Sequence, residues 1–109
     1  VVIPDEVENF IVRLVTQTQP EHSGVEGVAK YVRYGASPRC ALGLLKAARA
    51  RAVVDGRPNV SFEDAEALFF DVANHRVILN FEAEADGVDT QAVLASVLSA
   101  VRREYRGAA

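Results

Sequence analysis

Four segments of this chain space their apolar residues three and four positions apart, and that spacing constrains the fold more than any other feature. In the first, Val7, Phe10, Ile11, Leu14 and Val15 share one face of a helix. Pro4 and Asp5 open it, and Pro20 disfavours a helical residue before it, so it is predicted to end near Gln17 to Gln19. The second runs from Pro38 to about Val54 and stops at Asp55-Gly56-Arg57-Pro58, a glycine stop followed by a proline. The turn per residue puts Arg39, Gly43, Lys46 and Ala50 on one side of this helix and Ala41, Leu44, Leu45, Ala48 and Ala52 on the other. Its many alanines imply that neighbouring helices approach closely.

Ser61, with Asp64 three residues on, forms a variant capping box for a third helix striped by Phe62, Ala65, Leu68, Phe69 and Val72 and ending near Asn74. The fourth is capped by Asp89 or Thr90 and carries Val93, Leu94, Val97, Leu98 and Val101 to about Tyr105. Between these, Glu21 to Gly35 reads as a loop with a short extended piece through Tyr31 to Tyr34. His75 to Phe81 reads as an extended or single-turn connector, and Glu82 to Gly87 as a solvated acidic turn. The expectation is an all-α fold: a small bundle of about four helices with short extended connectors, forming one domain over residues 1–109.

The start of the second helix contains a conflict. In Tyr34-Gly35-Ala36-Ser37-Pro38-Arg39, Gly35 can take backbone angles other residues resist, Ser37 can accept a hydrogen bond from a first-turn amide, and Pro38 suits the first helical position. Arg39 then places a positive charge at the partially positive helix end, which costs about 0.3–1 kcal/mol. A bound anion reverses the sign, because the guanidinium and the free amides can both point at a phosphate.

Composition narrows the functional classes. The chain is half apolar and a quarter charged, as in a soluble globular protein. It has neither a run of about 18 apolar residues nor a charged-then-apolar leader, so no membrane partner is expected. It begins at Val1, not methionine, and is read as a piece of a longer protein. The net charge of −3 is unevenly spread. Lys30, Arg33, Arg39, Lys46, Arg49, Arg51 and Arg57 stand against Asp55 alone between positions 30 and 57. That basic segment leaves open a stand-alone helical interaction module that binds nucleic acid, although the acidic total argues against it. A solvated face is the simpler account of Lys46, Arg49 and Arg51.

No metal site is expected. His22, His75 and Cys40 are widely spaced, and Glu82, Glu84, Asp86 and Gly87 mimic the start of a calcium loop whose twelfth place holds Val93 instead of glutamate. Cys40 has no local histidine partner and reads as a small packed side chain. A single cysteine excludes an internal disulfide and fits a cytoplasmic address.

An ordered set of residues carries a resemblance. Gly35-Ala36-Ser37-Pro38-Arg39, then Leu42 to Ala52, Gly56-Arg57, Val60-Ser61, Glu63-Asp64, His75-Arg76 and Asn80 to Gly87 together resemble the C-terminal lid of MoxR-type AAA+ ATPases. No single element is specific, and Cys40 stands where the family often has alanine. The resemblance implies a helical lid on an α/β core that holds ATP and Mg2+. The chain has no G-x-x-x-x-G-K-[ST] loop of its own, so this fragment alone is not expected to hydrolyse ATP, while the parent is expected to be an ATPase. Carried over, Arg39 is the sensor 2 arginine that contacts the γ-phosphate, with Gly35, Ser37 and Pro38 as supporting residues. The implied partners are the lid's own core and neighbouring subunits of a ring, commonly a hexamer. The implied work is chaperone-like remodelling of other proteins, often alongside von Willebrand factor A domain proteins.

Overall fold

The computed structural model describes residues 2–106. Helix α1 (Asp5–Thr16) opens on Pro4 with Asp5, Glu6 and Glu8 in its first turn, where negative charge suits the helix end. Helix α3 (Pro38–Val54) and helix α4 (Phe62–Ala73) begin at the residues their signals predict. The capping box of α4 is complete, with Ser61 Oγ accepting from the Asp64 N–H and the Asp64 carboxylate accepting from the Ser61 N–H. For helix α6 (Thr90–Arg106), Asp89 acts as the cap: its Oδ1 accepts from the Ala92 N–H at 2.8 Å.

Two segments differ from expectation. The stretch read as a loop contains helix α2 (Glu26–Tyr31), and the acidic turn is helix α5 (Phe81–Asp86). At six residues each, both are too short to show a periodic stripe; each is held by one fully buried residue, Val28 in α2 and Ala83 in α5. Asn80 caps α5 by accepting from the Ala83 N–H, and Gly87 ends it in the left-handed conformation at φ 71°. The Tyr31 hydroxyl donates to Asp86 at 2.8 Å, joining the two short helices.

The extended pieces exist and pair. Strand β1 (Val32–Tyr34) lies antiparallel to β2 (Ile78–Leu79), with Val32 opposite Leu79, Tyr34 opposite Ile78 and an irregularity between. A parallel bridge joins Val2 to Asn59 ahead of α4.

The core forms where α1 meets α3, α4 and α6. Phe10, Ile11 and Leu14 of α1 face Leu44 and Ala48 of α3, Ala65 and Phe69 of α4, and Leu94, Val97 and Val101 of α6 in one buried cluster. Phe10 packs edge-on against Phe62 and Tyr105, with ring centroids 5.1 and 5.6 Å apart. The buried alanines Ala41, Ala48 and Ala52 let α3 lie close to its neighbours. The fold is therefore all-α apart from one two-stranded pair. No helix among the described residues is long and apolar enough to cross a membrane.

Candidate functional site

The first turn of α3 is held from behind by the residues that follow α1. Thr18, fully buried, donates its hydroxyl to the Val15 carbonyl at 2.6 Å and accepts from the Ala36 N–H at 2.9 Å. Gln19 Nε2 donates to the Ala36 carbonyl at 2.8 Å. Both backbone polar groups of Ala36, three residues before Arg39, are thus bonded to consecutive side chains.

Gly35 completes this contact, and for a different reason from the one expected. Positive φ occurs only at Gly56 and Gly87 among the described residues, so Gly35 does not use the left-handed region. A Cβ there would overlap the Thr18 carbonyl and stand 2.6 Å from Gln19 Cα. The position needs glycine because two backbones touch.

Ser37 also departs from expectation. It occupies the N-cap position in an extended conformation, but its side chain makes no capping hydrogen bond. Its carbonyl accepts from the Cys40 N–H at 2.9 Å, and Pro38 at the first helical position has no N–H. The polar start of α3 is therefore left open toward solvent. No acidic residue lies in that turn, and Arg39 is exposed with no ion pair among the described residues. Cys40 beside it is buried, as expected. Burial pushes its thiol pKa up, and the positive charge of Arg76 pulls it partly back. Arg76, exposed, therefore adds positive potential near the same helix start.

Two other arginines of the basic segment are engaged elsewhere. Arg57 binds the buried Asp64 carboxylate with both Nη atoms, Nη1 at 2.7 Å from Oδ2, and also reaches Asp55. Arg51 Nε approaches Asp64 Oδ1 at 3.1 Å. Arg51 thus corrects the solvated-face reading: it helps pin the end of α3 to the start of α4. Sequence reasoning saw Asp64 only as a cap. Its chain neighbours give no sign that an arginine seven residues earlier folds back on it.

Lys46 and Arg49 do remain exposed. With Ile3, Glu8, Leu42 and Leu45 they line a hollow of about 280 Å³. A second hollow of about 330 Å³, sharing Leu42 and Leu45 with the first, extends between α1 and α3 as far as Pro38. Of the predicted site residues only Pro38 lines that groove; Ser37, Pro38 and Arg39 are exposed and Gly35 is partly enclosed.

Residues 26–97 match the AAA lid domain family model. The chain belongs to the AAA lid domain family. Over 94 residues the lid is 39% identical to the chaperone MoxR1 of Mycobacterium tuberculosis, a match covering 85% of the lid and 25% of MoxR1. It is 32% identical over 98 residues to the uncharacterized Bacillus subtilis protein YeaC, covering 90% of the lid and 28% of YeaC. A Cytophaga hutchinsonii crystal structure, provisionally assigned as an ATPase, superposes with a TM-score of 0.83 at 40% identity and covers 90% of the lid and 30% of that chain. The lid thus spans between a quarter and a third of these proteins' lengths, and its likeness to MoxR1 places it among MoxR-type lids.

Proposed function

We propose that this lid closes over ATP bound to an AAA+ core domain, that Arg39 is the sensor 2 arginine contacting the γ-phosphate, and that closure couples hydrolysis to remodelling of a partner protein. The observation that carries this reading is Arg39 itself: an exposed guanidinium, unpaired among the described residues, in a first turn with no acid and no side-chain cap. A guanidinium there pairs with two phosphate oxygens, and the helix end favours the same negative charge. When the γ-phosphate leaves, that attraction falls, and the lid is freed to open. This makes Arg39 both a stabiliser of charge developing in phosphoryl transfer and a reporter of the nucleotide state.

Among the described residues no three histidine, cysteine or acidic side chains converge on a possible metal site. Mg2+ accompanying ATP would be held by the core, and this chain's contribution would be the Arg39 guanidinium. The remaining parts of the proposal rest on the resemblance to MoxR-type AAA+ ATPases: a ring, commonly a hexamer, in which the lid touches its own core and the next subunit, with von Willebrand factor A domain proteins as candidate partners. The proposed cytoplasmic address rests on the single cysteine.

The reading is tested by nucleotide affinity in the full-length protein. Arg39→Ala is expected to weaken ATP binding while leaving ADP binding close to wild type. An unchanged preference for ATP over ADP would contradict it.

A further inference from the structure

We infer that Thr18 and Gln19 are positioning residues for Arg39, setting where its guanidinium stands by clamping the Ala36 peptide groups; this rests on the sensor reading of Arg39 proposed above. The geometry is specific. Consecutive side chains leaving α1 take opposite polar groups of one residue, Thr18 Oγ1 the N–H and Gln19 Nε2 the carbonyl, at 2.9 and 2.8 Å. The Thr18 hydroxyl proton is committed to the Val15 carbonyl, so its lone pairs are left to face Ala36. Gly35 lies flush on the Thr18 and Gln19 backbone, so the loop can neither slide along the end of α1 nor lift from it without losing both bonds.

Only Ser37 and Pro38 separate this clamp from Arg39, and the proline ring fixes one of the intervening backbone angles. Displacement at Ala36 is therefore passed to the first turn of α3 with little slack. Gln17, in contrast, points the other way: its Oε1 accepts from the Gly24 N–H at 2.8 Å and orders the loop before α2. Of three successive polar residues, two serve the arginine-bearing helix start. A phosphate contact depends steeply on placement, and a shift of about 1 Å is enough to lower the rate by orders of magnitude.

The test is steady-state ATP turnover by the full-length protein in six variants: Thr18→Val, Thr18→Ser, Gln19→Ala, Arg39→Ala, and the first and third of these each combined with Arg39→Ala. Thr18→Val and Gln19→Ala are each expected to lower kcat by about tenfold, Thr18→Ser to restore most of the rate, and neither lesion to cause further loss once Arg39 is gone. The absence of further loss separates positioning from general destabilisation, which would lower the rate in either background. Wild-type turnover in Thr18→Val and Gln19→Ala beside an impaired Arg39→Ala would overturn the inference alone, as would losses that multiply in full with Arg39→Ala. Unchanged turnover in Arg39→Ala would defeat the sensor reading and this inference together. If Thr18→Val does not fold, the half-buried Gln19 carries the same test through Gln19→Ala and its double variant.

Discussion

A guanidinium in the first turn of a helix faces the partial positive charge of open amides, and Arg39 has no carboxylate among the described residues to offset it. Asp64 is the opposite case. Its buried carboxylate takes Arg57 and Arg51 and closes the α4 cap; the Arg57 guanidinium first, and the Ser61 N–H and hydroxyl after it, outweigh burial and hold its pKa well below the ordinary carboxylate range. A carboxyl whose pKa falls on folding stabilises the native state fully above its unfolded value of about 3.9, and the contribution is lost as pH falls below that value. Asp64→Asn is therefore expected to lower stability at neutral pH by about 3 kcal/mol, near the low end for breaking a buried pair because both arginines keep solvent contact. The gap between wild type and variant should narrow in denaturant titrations below about pH 4. A constant gap would assign the loss to packing. The odd charge of Arg39 was legible from four neighbouring letters, whereas the clustering of Arg51, Arg57 and Asp64 was not, because it depends on how α3 and α4 fold onto each other.

At the scale of elements, the four long helices were readable because each carries a stripe and a stop or cap within its own sequence. α3 begins at Pro38 and ends at Val54 as its proline and glycine signals require. α2 and α5 were not readable, since six residues supply too few apolar positions, and tertiary burial of Val28 and Ala83 decides their state. The glycines divide in the same way. Gly43 sits on the exposed face of α3 with nothing within 4 Å of an added Cβ, so Gly43→Ala should raise stability by about 1 kcal/mol. Gly87 also has open space but φ of 71°, so Gly87→Ala should lower stability by about 1 kcal/mol through backbone strain alone. Gly35→Ala should cost about 1–3 kcal/mol through overlap with the end of α1. Thermal denaturation of the three variants checks the order, and a stabilising Gly35→Ala would show that the loop can lift away from Thr18.

For the whole molecule, the charge pattern and the fold reinforce each other. Asp55 and Asp64 engage Arg51 and Arg57, while Lys30, Arg33, Arg39, Lys46 and Arg49 stay exposed; the net charge of −3 is what argues against nucleic acid. Arg13 with Glu104 and Arg102 with Glu66 tie α6 back to α1 and α4. The groove between α1 and α3, ending at Pro38, was invisible in the sequence because it arises from the spacing of two helices and not from either alone. Arg39 is exposed on a helix start anchored to α1 through Thr18 and Gln19, and its proposed partner is the γ-phosphate of a nucleotide on the core domain. Steady-state ATP hydrolysis by the full-length protein, wild type beside Arg39→Ala with folding checked by circular dichroism, tests this most directly. A loss of about a hundredfold or more in kcat with the fold intact is the predicted result; unchanged turnover would contradict a γ-phosphate contact at Arg39.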